Sequence, residues 1–449
     1  MKHLLLFLIL TYSCACLSQR LYVIQDGSGN KNGDSWLNAM DDLSRAIEEA
    51  SSGDTIFVGP GKFEGGFFLK EGVCVIGSVD TGNEKDNLNV SGIPLIKENA
   101  TILDGCSLYR VITQESNFNT PTSLEGFIIR NGNANEGAGV RLRKNGIIKN
   151  CIIENNKAGM PSVGDYITAD IGIVFDVDHN NNTISVISSK DINRTHQLDR
   201  AVQIANEYKA GGTSNWHIPS MKEWQTISGI ETSGNTKTRV TFRLIEKAIG
   251  NHGKKYLSGN TFWTSTTDGD NAMFINLNSN EILSINKWQY NKVRVCKTYQ
   301  TNKTMSNGGG VNATGGTIEN CIIKGNTATN GSGIYARGEM MIKNSYVSDN
   351  INEKQLDIDD KVIIDNTPNK ISTLNADKVS ISPNPVHAGE KICISYLQEN
   401  EKVNLYDVNG HLLSSFVLND TKQINAPTQP GLYFVRIGNS KSIKLIVTK

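Results

Sequence analysis

Seven residues, NCIIENN (150–156), return as NCIIKGN (320–326) and again as NSYVSDN (344–350), with a weaker version, GFIIRNG, at 126–132. The starts at 126 and 150 lie 24 residues apart, and so do the starts at 320 and 344. A fixed period in the twenties constrains a chain to a solenoid, in which each repeat buries its apolar face only by stacking on its neighbours. Short apolar runs punctuated by Gly and Asn select a stacked β-coil over helical repeats. Between 150 and 320 the step is 170, so 146 residues beyond one period are interposed.

Aligned on this period, Ile148, Ile318 and Ile342 form one apolar ladder, and Ile153, Ile323 and Val347 a second. Lys149, Glu319 and Lys343 form an outer, solvated row. Ile148 and Cys151 both read as internal, which strict alternation forbids, so the parity slips at Asn150, Asn320 and Asn344. Asn tolerates the left-handed conformation, so a corner is expected there, with an Asn ladder bonded from coil to coil. Asn156, Asn326 and Asn350 mark the next turn. Cys151 and Cys321 share one repeat position. The plain reading is a stacked pair of small apolar side chains, and a disulfide is the alternative.

The coil runs from 19 to 158 and from 307 to 367, and the interposed segment is 159–306. An insertion that preserves the register must bring its ends together, as an independently folding domain does. Within it, 171–188 predicts a hairpin, and 197–212 an amphipathic helix through Leu198, Val202, Ala205 and Tyr208 that ends at Gly211-Gly212. At the start of the coil, Trp36, Met40, Leu43, Ile47 and Ala50 fall at helical spacing and predict a helix covering the first turn, where an open edge invites aggregation. After a linker at 368–378, short strands separated by turns predict a small β-sandwich over 379–449.

Residues 1–18 carry a basic start, an apolar run from Leu4 to Leu10 and small residues before Gln19, the pattern of a secretory signal peptide; a lipoprotein reading through Cys14 or Cys16 fits the flanks poorly. No other apolar stretch approaches the ~18 residues needed to span a bilayer. Lys+Arg and Asp+Glu are equal at 45 each, so no net field draws in nucleic acid or anionic lipid. Cys74, Cys106, Cys151, Cys296, Cys321 and Cys393 are widely spaced without a CxxC pair, which leaves their disulfide state open.

Three resemblances follow. Gly33, Ser35, Trp36, SGDTIFVGPGKF (52–63) and VCVIG (73–77) resemble the entry of right-handed parallel β-helix proteins of the pectin-lyase-like superfamily. In the inserted segment the helix, NWHIPSMKEW (215–224), FWTS (262–265) and VRVC (293–296) resemble the Lcl C-terminal-like domain, which implies a C-type-lectin-like fold. The segment departs from that family at His217, where Arg is usual, and keeps one Cys in its closing strand. SPNPV (382–386), LYDVNGHLL (405–413), GLYFVRI (431–437) and the terminal Lys resemble the sorting domain of type IX secretion substrates. That resemblance implies a Gram-negative source, the type IX machinery as partner, and attachment to surface lipopolysaccharide with loss of the domain. The expected fold is therefore mainly β: a right-handed parallel β-helix, an inserted α+β lectin-like domain and a C-terminal β-sandwich.

Chemistry is sparse. β-helix enzymes acting on acidic polysaccharides need carboxylates clustered on neighbouring coils to hold Ca²⁺ and an Arg or Lys base, and hydrolases need paired acids. Here Asp104, Glu136, Glu154, Glu319 and Asp349 do not stack. Arg130, Arg141, Arg143, Lys144 and Arg337 make a modest basic strip, of which Arg141 and Arg143 form the alternative groove site. Asp176, Asp178 and Asn180 begin like an EF-hand loop but lack its Gly and its closing Glu, so a hairpin turn is the better account. By the lectin analogy the ligand loop is 267–271, with Asp268, Asp270 and Asn271 as candidate ligand or Ca²⁺ contacts beside Trp263 and His217. No Ser/His/Asp order, zinc spacing or phosphate-cradling Gly loop is present. The leading expectation is a secreted or surface-attached binding or adhesion protein with a glycan or matrix ligand and no catalytic residue. The alternatives are a polysaccharide lyase or hydrolase in the coil groove, and a structural surface component without a discrete ligand.

Overall fold

The computed structural model describes residues 18–79, 81, 100–168, 171–230, 239–301, 305–352, 354–365, 381–394, 402–407, 411–417, 423–437 and 442–448. The leader, the linker at 368–378, the side chain of Cys393 and the terminal Lys449 lie outside the described residues. The chain forms two compact units, Met1–Ser372 and Thr373–Lys449.

The first unit is built on three parallel sheets. The chain visits them in rotation, so Val140–Leu142, Gly146–Lys149 and Ile152–Glu154 each add one strand to a different sheet. The next turn repeats the order with Val311–Ala313, Gly316–Glu319 and Ile322–Lys324, each paired in register with its counterpart. The following turn, Ile334–Ala336, Met340–Lys343 and Tyr346–Ser348, stacks on that one. Because side chains alternate along a strand, this register puts Ile148, Ile318 and Ile342 on one inner line and Ile153, Ile323 and Val347 on another, all essentially without exposure. They share a single continuous core with Leu124, Ile129, Val140 and Val311.

The corners carry two different Asn columns. Asn150, Asn320 and Asn344 sit at φ 52°, 58° and 44°, the left-handed conformation that lets two adjacent strands both point apolar residues inward. Their side chains bond only in part: Asn320 Nδ2 donates to Asn150 Oδ1 at 2.7 Å and Asn150 Nδ2 to Glu125 at 2.6 Å, while Asn344 Oδ1 is buried without a partner among the described residues. The fuller ladder is the second column. Asn156 Nδ2 donates to Asn326 Oδ1 and Asn326 Nδ2 to Asn350 Oδ1, both at 2.9 Å. Each Nδ2 also donates to a backbone carbonyl, of Ile129, Ile153 and Ile323 in turn.

Cys151 and Cys321 are buried free thiols whose Sγ atoms lie 3.1 and 3.2 Å from the carbonyls of Lys149 and Glu319. Ser345 takes the same place one coil on and donates to Lys343 O at 2.8 Å. Burial, then the neighbouring Cys151, pushes the Cys321 thiol well above its ordinary range. Since the thiolate is the reactive form, a thiol reagent should leave both cysteines unlabelled in the folded protein and label both after denaturation. Mass-spectrometric mapping of the label checks this, and rapid labelling of either in the native state contradicts it.

At the start of the coil, helix α1 spans Leu43–Glu49 and is shorter than the spacing predicted. Asp42 caps it, its carboxylate accepting from the backbone N–H of Ser44 and Arg45, so Trp36–Asn38 forms a separate 3-10 turn and Met40 bridges to Val23 as extended chain. Leu43, Ala46 and Ile47 of α1 enter the coil core.

Between Ala158 and Val311 the chain leaves the stack, and its described residues build two mostly antiparallel sheets and three helices. The four-stranded sheet has the order Tyr166–Thr168, Gly172–Asp178, Thr183–Ile187, Cys296–Gln300. The five-stranded sheet, mostly antiparallel, has the order Ile192–His196, Asn291–Val293, Thr261–Asp268, Asn271–Asn276, Glu281–Asn286. Helices α2 (Leu198–Glu207), α3 (Met221–Ser228) and α4 (Val240–Asn251) pack around them. In α2, Ala201 rather than Val202 joins Leu198 and Ala205 inside, leaving Val202 39% exposed, and the helix stops at Tyr208, ahead of Gly211-Gly212. Positions 201 and 202 flank the line through 198 and 205 equally, so helical spacing alone does not choose between them. The predicted hairpin is present, its turn held by Asp178 accepting from the N–H groups of Asn180 and Asn181 at 2.9 and 3.1 Å. This segment lies against the coil: Tyr109 joins its core and its hydroxyl meets Thr241 at 2.8 Å, and Arg243 reaches Asp42 at 3.1 Å.

The second unit holds a three-stranded sheet (Ile381–Ser382, Lys391–Ile394, Gln423–Asn425) and a five-stranded sheet containing Lys402–Tyr406, Gly431–Ile437 and Ser442–Thr448. Ile392, Ile394, Val403, Leu405, Val435 and Leu445 fill the space between them.

Candidate functional site

The residues singled out around 263–271 lie on a β-hairpin. Thr261–Asp268 and Asn271–Asn276 pair directly, Asp268 opposite Asn271, so Gly269 at φ 60° and Asp270 close a tight turn rather than an open loop. Asp270 faces solvent and is paired with Lys287 at 3.2 Å. Trp263 has no exposed surface; its Nε1 donates to His196 O at 2.7 Å, and it packs in the segment's core, out of reach of a sugar. Trp216 and Trp224 are likewise buried. His217 lies elsewhere, half-exposed and 2.9 Å from Glu223. Burial alone would raise the Glu223 carboxyl, but the hydrogen bond from His217 and those from the Ser220 N–H and hydroxyl outweigh it and hold it at about 2.

Two residues of the basic strip of the coil pair with acidic neighbours. Arg130 pairs with Asp104 at 3.0 Å and Arg337 with Asp357 at 2.8 Å. Arg141 and Arg143 differ: each has a buried Nε without a hydrogen-bond partner among the described residues. Strand Val140–Leu142 points Arg141 outward between two inward apolar residues, toward the returning edge of the inserted segment. Two adjoining cavities meet there, about 270 and 660 Å³, both lined by Arg110, Arg141, Asp165 and Tyr166. Arg143 lines neither. Volumes of this order suit one or two sugar rings, since ligand sites fall near 300–1,000 Å³.

Each wall has a distinct origin. The coil contributes Arg110, whose Nε and Nη2 donate to Glu136 O at 3.3 and 3.1 Å, and Phe68, under the Lys247 ammonium at 3.6 Å. The inserted segment contributes Asp165, tied to the Ser162 N–H at 2.8 Å, and Tyr166, stacked on His252 with ring centroids 3.6 Å apart. Lys247 is paired with Glu115 at 3.5 Å. Among the described residues Arg141 has no ion pair, and burial, then Arg110 and Arg143, push its guanidinium down to about 10, while the nearby Asp165 and Glu115 carboxylates favour its charged form only in part. The arrangement can take a carboxylate, sulfate or phosphate on Arg141 and a flat apolar face against Tyr166. Sequence spacing flagged Arg141 but offered no signal for Arg110, Asp165, Tyr166 or Lys247, which belong to unrelated stretches.

Among the described residues no helix is long and apolar enough to cross a membrane. A comparison with curated proteins gave no match. Residues 380–449 match the family model of the secretion system C-terminal sorting domain. The C-terminal unit thus marks the chain for handling by the type IX secretion machinery, and so for a place outside the cell, attached to the surface or released.

Proposed function

We propose that this is an exported, non-enzymatic binding protein in which a right-handed parallel β-helix of the pectin-lyase-like class and an inserted C-type-lectin-like domain, 159–306, together hold an acidic glycan in the cleft between them. The three-sheet rotation of the coil supports the β-helix assignment, and the strand-and-helix order of 159–306 supports the lectin-like one. The observation that carries the ligand assignment is Arg141, whose buried Nε has no hydrogen-bond partner among the described residues, facing a cavity shared by both parts. Burying a guanidinium donor without a partner costs free energy that an anionic ligand returns. After sorting, surface lipopolysaccharide serves as the anchor.

The test uses the full mature chain on an array of uronate-containing, sulfated and neutral oligosaccharides, followed by calorimetry. Acidic glycans are expected to bind, and Arg141→Ala to weaken them by about 10- to 100-fold, the scale of a charge-assisted hydrogen bond. Arg143→Ala should change affinity by less than about threefold, because a charge outside the cleft acts only through a screened field. Absence of binding to any acidic glycan would sink the proposal and leave a scaffold without a discrete ligand.

A second reading draws on the lowered pKa of Arg141, which brings its guanidine closer to the range of a base. In a lyase, the neutral guanidine of Arg141 would take the proton beside a uronate carboxylate while the electron pair forms a carbon–carbon double bond and expels the glycosidic oxygen, which leaves as an alcohol by taking a proton from water. Ultraviolet absorbance of the unsaturated product, appearing with the wild type and lost in Arg141→Ala, would decide for this reading.

A further inference from the structure

We propose that His217, Glu223 and Cys296 form a zinc site in the inserted segment. One donor atom of each lies within 4.8 Å of the other two, a combination of imidazole, carboxylate and thiol. His217 Nε2 is 2.9 Å from Glu223 Oε1 and 3.2 Å from Cys296 Sγ, and Sγ is 3.5 Å from Oε1. A tetrahedral zinc with Zn–S about 2.3 Å and Zn–N or Zn–O about 2.0 Å sets its donors about 3.3 Å (N to O) and about 3.5 Å (S to N and S to O) apart. The triangle already has that shape and needs to open by only a few tenths of an ångström on two edges.

Each donor is held by the fold independently of any metal. His217 and Cys296 bridge through their backbones, His217 N–H to Cys296 O at 3.0 Å and the reverse at 2.8 Å, which aims both side chains to one side. Glu223 is the third residue of α3, and its Oε2 accepts from the Ser220 N–H and hydroxyl at 2.8 Å each, leaving Oε1 turned toward the other two. A carboxylate fixed through its second oxygen is the supporting shell expected around a metal ligand. Cys296 is fully buried, whereas the His217 side chain is 46% exposed, so a fourth position opens to solvent. The donor set favours zinc over calcium or magnesium, which take oxygen ligands. On binding, the Cys296 proton leaves to solvent and His217 carries its remaining proton on Nδ1, so thiolate and carboxylate together balance the two positive charges.

The experiment uses the full chain, stripped with a chelator and titrated with zinc alone against a chromogenic competitor. One equivalent is expected to bind, and Cys296→Ser and His217→Ala should each weaken it by at least about tenfold, in line with loss of a metal ligand. Cobalt in place of zinc should give a thiolate-to-metal charge-transfer band that Cys296→Ser abolishes, while circular dichroism confirms that this near-isosteric variant stays folded. Absence of that band in the wild type, or undiminished zinc binding in both variants, overturns the proposal. Neither readout depends on the glycan cleft.

Discussion

Replacing Asn326 with alanine should destabilise the coil by about 3–6 kcal/mol, as at least two buried backbone groups lose their partners at about 1–3 kcal/mol each and further side-chain bonds are lost with them. Asn326 Oδ1 accepts from the Asn156 N–H at 3.0 Å and the Asn156 Nδ2 at 2.9 Å, and its Nδ2 donates to Ile153 O and Asn350 Oδ1 at 2.9 Å each. Asn326 has no exposed surface, so water does not replace these bonds. The contrast with Asn320 makes the prediction specific. There the requirement is φ 58°, so Asn320→Gly should lie within about 1 kcal/mol of the wild type because Gly adopts that region freely. At 326 glycine should be as damaging as alanine. Denaturant midpoints for the three variants check this, and equal losses at 320 and 326 for glycine would contradict it.

Arg294→Ala is expected to cost about 3–5 kcal/mol, the scale seen when one partner of a buried ion pair is removed. Arg294 is fully buried, with Nε 2.8 Å from Asp191 Oδ1 and its two Nη atoms donating to Ser188 O at 2.8 Å and Lys255 O at 3.1 Å. It ties the strand Asn291–Val293 to the ends of two neighbouring segments, so its loss leaves the largely buried Asp191 carboxylate with only Lys292, 3.9 Å away, and takes a donor from the Ser188 and Lys255 carbonyls. Adding Asp191→Asn should restore part of the loss by removing the stranded charge. The unfolding transition of the inserted segment is the readout, and a double variant no more stable than the single one would refute the ion-pair account.

The coil was legible because its information is one-dimensional. A step of 24 residues aligns Ile318 with Ile342 on paper, and the hydrogen-bond register reproduces that alignment. The left-handed corners at Asn150, Asn320 and Asn344 were legible for the same reason: two adjacent inward residues require a break in alternation. What spacing missed was competition among neighbours. Trp36 to Ala50 looked like one helix, yet the carboxylate of Asp42 is a stronger start signal than the apolar spacing before it. The lectin analogy marks 267–271 as a ligand loop, whereas direct pairing of Asp268 with Asn271 makes its middle a two-residue turn.

Spacing marked Arg141 and His217 but not the residues they meet. Arg110, Arg141 and Lys247 come from two coil turns and a helix of the inserted segment, and no periodicity relates them. His217 and Cys296 stand 79 residues apart and meet only because the closing strand pairs beside 217. By itself the chain's sequence determined the stacked coil, the break at 158 and the tail that sends the protein outside the cell. It could do so because repeat and tail are written in local patterns of side-chain size and polarity. Which buried N–H lacks a partner, and which donors share a point in space, was decided only in the tertiary structure, because burial and distance between remote residues are properties of the packed chain.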